Sequence, residues 1–424
     1  MSFENFVLHA KIFAGVQAMG YKTPTPIQLE SIPPIMQGRD VMGLAQTGTG
    51  KTAAFVLPIL QRLMQGPRGP VRALIVAPTR ELCEQTHQAI GQLGAKTQVR
   101  SVSIYGGVSI QGQIKKLREK VEIISACPGR LLDHIGRGTI DLSHVEVVVL
   151  DEADHMFDMG FLPDVRRIMK CLPAKRQTLL FSATMPDDIR RLADDLLSNP
   201  VNIKIGRTAP VETVAHSFYP VPMDGKTALL KDLLDKTAME SVLVFTRTKS
   251  RAKSVANHLD RSGYKVTSLH GNLTQQKRQQ ALDGFRDGRY EIMVATDIAA
   301  RGIDVTRISH VINYDMPATA DAYTHRIGRT GRATKTGDAF TFVTDDDYGL
   351  AHLLKKVLGE KLQYQSVDGL TVSMPADGES PRRGRSAPGR KPEEARHHFS
   401  PKARTNSRPA QRSFSQANRS AWAH

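Results

Sequence analysis

Val41-Met42-Gly43-Leu44 runs straight into Ala45-Gln46-Thr47-Gly48-Thr49-Gly50-Lys51-Thr52, and an apolar stretch, Ala53 to Leu63, follows. The order is short apolar strand, glycine-rich turn, helix. Such a turn aims its backbone N–H groups at one point, and the helix N-terminus adds its positive end, so together they make an anion site. Lys51 would reach the β- and γ-phosphates of a nucleotide, and Thr52 would hold Mg²⁺. The pattern asks for glycine at 45, where this chain has alanine; no chemical group is lost by that. A glycine-rich turn before a helix also occurs without ligand, so the reading needs a second motif.

That motif lies downstream. Val145-Glu146-Val147-Val148-Val149-Leu150 runs into Asp151-Glu152-Ala153-Asp154. A strand ending in an acid is what Mg²⁺ needs beside a phosphate cradle. Asp151 would hold the metal and Glu152 would polarise the water that attacks the γ-phosphate. Alone, these acids read as a solvated helix start; beside Lys51 and Thr52 they read as chemistry. His155 follows without a His-Glu-x-x-His pattern, so no zinc site is read.

Outward from these two motifs, short apolar runs alternate with helical patterns, the mark of a parallel sheet wrapped by helices. In the first half the further runs are 73–77, 102–105, 121–125 and 178–181; in the second they are 242–245, 266–269, 291–295, 310–314 and 339–343. The halves look like two versions of one doubly wound α/β unit. The expected division is a first domain over 1–205, a linker over 206–212 with Gly and Pro breakers, a second domain over 213–370 and a tail over 371–424. The second half is read as having no Gly-Lys-Thr, its corresponding strand ending in Phe245-Thr246-Arg247-Thr248. One cradle for two domains implies one nucleotide between them. The second domain would then complete the site through His325-Arg326-Ile327-Gly328-Arg329-Thr330-Gly331-Arg332, whose arginines suit the charge that develops in phosphoryl transfer.

Composition narrows the class. The 424 residues are 40% hydrophobic and 24% charged, with a net charge of +16. That excess favours an anionic partner. Three cysteines, 83, 127 and 171, cannot build a disulfide framework or a metal set, and a reducing cytoplasmic compartment is the natural reading. No apolar run approaches the roughly 18 residues of a membrane span, and the first residues do not read as a signal peptide. From 371 onward there are 11 Lys/Arg against 4 Asp/Glu, few aliphatics, and Phe399, Phe414 and the single Trp422 spaced through. Such a segment is expected to be disordered. It reads either as a solvated tail or as an auxiliary arm in which Arg meets phosphates and aromatics stack on bases.

Gln28, Gly-Thr-Gly-Lys-Thr at 48–52, Asp-Glu-Ala-Asp at 151–154, Ser182-Ala183-Thr184 and the 325–332 segment, in this order, resemble the DEAD-box ATP-dependent RNA helicases over about residues 3 to 345. The layout of a short second domain followed by a basic tail resembles the bacterial RhlE-like branch. The resemblance implies two RecA-like domains in tandem, ATP and Mg²⁺ as cofactors, and RNA as partner with little sequence specificity and no membrane. Gln28, in Gly20-Tyr21-Lys22-Thr23-Pro24-Thr25-Pro26-Ile27-Gln28, would pair with adenine and Phe3 would stack on it, Phe6 being the core-packing competitor. The cradle 45–52 and Asp304 would hold the rest of ATP. Glu152, Lys51, Arg329 and Arg332 would be catalytic. Asp154, Ser182, Thr184 and Arg326 would couple hydrolysis to domain closure.

The same resemblance assigns RNA contacts to Pro78, Thr79, Arg80, Gly106, Gly107, Pro128, Gly129 and Arg130 in the first domain, and to Arg278, Thr296 and Arg301 in the second. Hydroxyls, guanidinium groups and glycine N–H groups suit phosphates and sugars, which carry no sequence information. The family usually has Thr where this chain has Cys127. RNA-stimulated ATP hydrolysis coupled to local unwinding of short duplexes is the implied activity, with ribosome assembly or cold growth as settings and ribosomal or RNA-degradation proteins as open partner classes. A DNA-directed motor and a non-enzymatic RNA scaffold are the alternatives. The scaffold would show damage at Lys51, Glu152 or Arg329, and all three are present.

Overall fold

Period-two burial builds both cores. In Val147–Leu150, Val147 and Val149 enter one apolar cluster while Val148 and Leu150 enter another. In Ala73–Val76 the same division separates Ala73 and Ile75 from Leu74 and Val76. A strand shows alternate side chains to opposite faces, so a run apolar at every position is covered on both. The second half repeats the arrangement: Val242 and Val244 face one cluster, Leu243 and Phe245 the other. Each fully buried Val, Leu or Ile contributes roughly 1.5–3 kcal/mol.

The computed structural model describes residues 2–46, 48–205, 214–300, 308–330 and 337–367. Thr47, Arg301, Asp304, Arg332, the expected linker 206–212 and the expected tail 371–424 lie outside the described residues.

The first sheet comprises β1 (Val41–Leu44), β2 (Ala73–Val76), β3 (Ser101–Ile104), β4 (Ile123–Ala126), β5 (Val147–Leu150), β6 (Gln177–Ser182) and β7 (Val201–Lys204). The second comprises β8 (Val214–Pro220), β9 (Val242–Thr246), β10 (Val266–Leu269), β11 (Ile292–Thr296), β12 (His310–Asn313), β13 (Gly337–Val343) and β14 (Leu362–Tyr364). The helices are α1 (Ala10–Ala18), α2 (Pro26–Met36), α3 (Lys51–Leu63), α4 (Arg80–Leu93), α5 (Ile110–Arg118), α6 (Pro128–Gly136), α7 (Ala153–Asp158), α8 (Leu162–Lys170), α9 (Asp187–Leu196), α10 (Lys226–Lys236), α11 (Lys249–Arg261), α12 (Gln275–Arg286), α13 (Asp297–Ala300), α14 (Ala320–Ile327) and α15 (Tyr348–Leu358). Among the described residues no helix is long and apolar enough to cross a membrane.

All strand pairs are parallel, in the orders β3-β4-β2-β5-β6-β1-β7 and β10-β11-β9-β12-β13-β8-β14. The two orders are the same when β8 is set equal to β1. These are the two expected RecA-like units. Three strands were not legible as apolar runs. β7 buries only Ile203 and β14 only Leu362, as edge strands do, and β8 is interrupted by polar residues.

The topology corrects one sequence reading. The counterpart of β1 is β8, not 242–245. After β8 comes Gly225-Lys226-Thr227, which opens α10 as Gly50-Lys51-Thr52 opens α3. The second half therefore does carry a Gly-Lys-Thr. Its lysine is spent internally: Lys226 Nζ lies 3.1 Å from Asp315 Oδ1, with both side chains almost fully buried. Asp315 comes two residues after β12 and its N–H donates to Phe245 O of β9, as the N–H of Asp151, just after β5, donates to Val76 O of β2. Arg251 reaches the same carboxylate at 3.1 Å and the Arg247 N–H donates to its other oxygen at 2.9 Å. Burial depresses the Lys226 ammonium, against the pull of Asp315. Only a small cleft of about 140 Å³ remains.

Removing one partner of a buried ion pair strands the other charge. Lys226→Met should therefore destabilise the second sheet by about 3–5 kcal/mol, read as a lower urea midpoint for that unit. An unchanged midpoint would show that Arg251 alone satisfies Asp315.

Candidate nucleotide and RNA site

The site begins at the C-terminal ends of β1, β5 and β6, the edge where open parallel sheets bind ligands. Gly48 and Gly50 carry φ of +82° and +92°. At Gly50 a Cβ would also stand 2.5 Å from Gln28 Nε2, so glycine is required by both conformation and space. The Ala45 N–H donates to Ser182 O at 3.0 Å, and Thr49 Oγ1 donates to Gln46 O at 2.7 Å. Lys51, buried at the first position of α3, donates to Ala45 O at 2.8 Å and is held across the mouth of its own turn. Thr52 is half-buried beside it.

Gln28 sits in the first turn of α2. Its Oε1 accepts from the Thr25 N–H at 2.9 Å and its Nε2 donates to Gly50 O at 3.1 Å. One amide hydrogen and one lone pair remain for a base edge. Phe3 is buried, edge-on to Phe6 at 5.9 Å and near-parallel to Tyr21 at 6.2 Å. Phe6 is also buried. Tyr21 is the aromatic that stays accessible, 38% exposed on the cleft wall; sequence reading quoted it without assigning it a part. The cleft measures about 700 Å³, and Phe3, Gln28, Lys51, Thr52, Asp151, Glu152 and Arg329 all line it.

The three acids after β5 are all buried and lie in three different environments. Asp151 Oδ1 has no hydrogen-bond partner among the described residues. Burial pushes its carboxyl up to about 7, reinforced by Glu152 and opposed by Lys51. An orphaned buried carboxylate oxygen beside the Thr52 hydroxyl fits a hard divalent cation whose other ligands are water and phosphate oxygens. For Glu152, burial works to raise the pKa, but the charge and hydrogen bond of His155, with Lys51 and Arg329, bring it down to about 2. Its Oε2 lies 2.7 Å from His155 Nδ1. Glu152 has φ +53°, which turns the chain sharply between β5 and α7. Its ionised carboxylate is suited to orienting a water by accepting its hydrogen bond. His155 was legible only as a residue without a zinc pattern; the signal missed is its three-residue spacing from Glu152 across the start of α7.

Asp154 is tied to the end of β6. Its Oδ2 accepts from the Ala183 N–H, the Thr184 N–H and Thr184 Oγ1 at 3.1, 2.9 and 3.1 Å. Ser182 Oγ accepts from the Asp154 N–H at 3.2 Å and donates to Thr184 O at 2.7 Å. Asp154, Ser182 and Thr184 thus form one knot.

The second sheet closes the cleft. Arg329, buried just after α14, acts on Glu152 from across the interface. His325 packs edge-on against His155 at 5.4 Å. Arg326 makes its bonds inside its own domain, to both oxygens of Asp297 at 2.6 and 2.7 Å, to Asn313 Oδ1 at 3.0 Å and to Asp315 O at 2.6 Å. Its direct work is to hold α14, which carries His325 and leads into Arg329.

A second surface lies along the starts of α4 and α6. Pro78 is buried, and the Thr79 hydroxyl caps α4 by accepting from the Leu82 N–H at 3.2 Å. Arg80 is half-buried against Gly106-Gly107; a Cβ on Gly107, at φ +84°, would meet its guanidinium. Arg130 donates to Val108 O and Gln113 Oε1, both at 3.1 Å. Gln113 also donates to Tyr105 O at 2.9 Å and pairs with His134 at 3.1 Å, so it knots the Gly106-Gly107 turn to α6. Nothing in its sequence neighbourhood marked it. Pro128 and Gly129 open α6, with Gly129 exposed.

Across the interface Arg80 reaches Gln275 at 3.3 Å, and Thr296 ends β11 half-buried. Arg278 stands elsewhere than the sequence reading put it. It is buried in an ion pair with Glu81, at 2.8 and 2.7 Å, and its third nitrogen donates to His270 O. A guanidinium so enclosed is a link between domains, and its partner lies 197 residues away in the chain.

The DEAD/DEAH box helicase family matches residues 25–192, and the helicase conserved C-terminal domain matches residues 225–334. The DEAD-box ATP-dependent RNA helicase CshA of Geobacillus kaustophilus is 44% identical over 363 residues, 85% of this chain and 78% of that protein. The solved structure of S. cerevisiae Dbp5 bound to RNA and ADP BeF3 superposes with a TM-score of 0.77 at 30% identity, over 87% of this chain and 96% of that one. Mss116p bound to ssRNA and AMP-PNP superposes with a TM-score of 0.78 at 27% identity, over 86% and 78%. With two sheets of one topology, the cradle, the three acids and the arginine facing them, the chain belongs to the DEAD-box ATP-dependent RNA helicases, enzymes that act on ATP.

Proposed function

We propose that this chain is an RNA-stimulated ATPase that opens short RNA duplexes locally, through one catalytic site shared by its two domains. The observation that carries the reading is Arg329, buried at the same cleft as Lys51, Asp151 and Glu152 although it belongs to the other sheet. Gln28 recognises the adenine edge, with Phe3 and Tyr21 beside the ring, and the 45–52 turn holds the phosphates. Thr52 and Asp151 would hold Mg²⁺, which would supply positive charge to the phosphates. Glu152 orients the attacking water. Arg329 and Arg332 stabilise the transferring phosphoryl group, and Asp304 meets the ribose.

RNA lies across Thr79, Arg80, Gly106, Gly107 and Arg130 on one side and Thr296 and Arg301 on the other. These are backbone contacts, indifferent to sequence; the 2′-hydroxyls separate RNA from DNA. ATP and RNA both favour the closed form, so each strengthens the other's binding. Known relatives solved with RNA together with an ATP analogue or ADP BeF3 support a closed state holding both. A gripped strand bent away from duplex geometry loses a few base pairs locally, and hydrolysis reopens the cleft. A cytoplasmic setting, ribosome assembly or cold growth, and ribosomal or RNA-degradation partners complete the reading. The RhlE-like branch rests on the layout of domain and tail alone; the relative reported above is a CshA protein.

Glu152→Gln should keep ATP and RNA binding and abolish turnover, because the amide lacks the charge that aligns the water. Near-normal hydrolysis would remove Glu152 from the catalytic site. Glu81→Gln and Arg278→Met should each depress RNA-stimulated turnover, and the double variant should lose less than their sum, with a coupling of about 0.5–3 kcal/mol. Strict additivity would mean the pair does not govern closure. Deleting 371–424 should leave catalysis intact and weaken RNA binding, with a flatter salt dependence of roughly 0.7 per lost phosphate contact on single strands. Equal affinities and slopes across a salt series would deny the tail an RNA role.

A further inference from the structure

Cys83 and Cys127 are 44 residues apart in sequence, and their sulfurs lie 3.5 Å apart. Cys83 is wholly buried in the first turn of α4, and Cys127 is half-buried at the position just before α6, with no side-chain capping bond. With Ala77, Leu82 and Tyr105 they form a small apolar cluster of their own. The chain on every side of that cluster is the surface proposed above to grip RNA. Thr79-Arg80 precede Cys83, Gly106-Gly107 follow Tyr105, and Pro128-Gly129-Arg130 follow Cys127.

We propose that hydrogen peroxide oxidises this pair to a reversible disulfide, and that the bond loosens the chain's hold on RNA. The second half of this rests on the RNA reading of the flanking segments. Cys127 is the sulfur an oxidant meets first. Its thiolate attacks one peroxide oxygen, the O–O bond breaks, and the hydroxide released takes a proton to become water; Cys127 becomes a sulfenic acid, oxidised by two electrons. Cys83 gives up its proton and attacks that sulfur. The S–S bond forms, the S–O bond breaks, and the second oxygen leaves as water. In total two thiols and one peroxide yield one disulfide and two waters. A reducing thiol pool reverses it by exchange.

Burial and the neighbouring Cys127 sulfur hold the Cys83 thiol well above its usual range, so it stays protonated until an electrophilic sulfur is beside it. Bond formation should therefore quicken as pH rises. The sulfurs must close from 3.5 Å to about 2.05 Å. That movement of about 1.5 Å falls on the first turns of α4 and α6, which carry the gripping groups. Hydrogen bonds weaken steeply over such a displacement. Losing one charge-assisted contact lowers affinity about tenfold or more.

The test uses the full chain carrying Cys171→Ser, since Cys171 is exposed and could link molecules. It is treated with hydrogen peroxide, free thiols are alkylated, and peptides are mapped. Affinity for a single-stranded RNA is measured before treatment, after it, and after dithiothreitol. The expected result is a Cys83–Cys127 linked peptide, an RNA dissociation constant about tenfold weaker, full recovery on reduction, and unchanged ATP binding without RNA. Cys127→Thr and Cys83→Ala, each compared with its own untreated sample, should lose nothing on oxidation.

Absence of the linked peptide, unchanged RNA affinity in the linked protein, or an equal loss in Cys127→Thr would overturn the proposal. The peptide is scored without RNA, which separates pairing of the thiols from the RNA reading. If Arg80→Ala and Arg130→Ala bind RNA as the parent does, the RNA reading fails even where the peptide is found.

Discussion

Three carboxylates within four residues are buried at the end of β5, and the arrangement of the site follows from how each is compensated. A buried ionised carboxylate without a partner is too costly to persist, so it must be paired, hydrogen-bonded or protonated. Asp154 takes three donors from the end of β6, which locks two strands of the first sheet together. Glu152 takes His155 from its own helix, and Lys51 and Arg329 from two different domains. Asp151 lines the cleft with an oxygen that has no partner among the described residues and a pKa pushed up to about 7 by burial. Of these three acids, Asp151 is thus the one whose burial leaves an oxygen without an offsetting hydrogen bond among the described residues.

The second domain shows the same scaffold with the charge problem solved the other way. Lys226 occupies the position of Lys51 and Asp315 that of Asp151, and the two bind each other. Arg251 and the Arg247 N–H bind the same carboxylate, so the Lys226 ammonium is turned inward onto Asp315 rather than left for a phosphate. One topology therefore yields an open cradle in one half and a filled one in the other. The difference lies in a few side chains, because a doubly wound sheet positions its strand ends alike in both copies.

Among the described residues, Glu81–Arg278, Arg80–Gln275 and His155–His325 join the two domains and Arg329 acts electrostatically on Glu152, all of them polar groups. Polar interfaces of this kind suit domains that must part and rejoin, whereas a large hydrophobic one would hold them shut. The same reasoning sets the two cysteines apart. They lie within the first domain, at the starts of α4 and α6 rather than at the boundary.

Much of this was legible in the residues themselves. Apolar runs at every position, bounded by turns, marked the buried parallel strands, because burial on both faces leaves a continuous signal. The cradle and the acids were legible because their chemistry is local: a turn, a helix N-terminus and a strand end supply the groups within a few residues. Edge strands β7 and β14 were not, since a strand covered on one side needs few apolar residues. The counterpart of β1 was misjudged for a related reason. The polar interruptions of β8 hid it, and only strand order showed that Gly225-Lys226-Thr227 repeats the first cradle. The sequence by itself determined the two α/β units and the strand, glycine turn and helix that carry Lys51 and Thr52. Tertiary structure alone decided that Arg278 pairs with Glu81, that Lys226 is neutralised by Asp315, and that Cys83 meets Cys127. Each is a contact between side chains far apart in the chain, and its energy depends on a distance and a burial that no local pattern encodes.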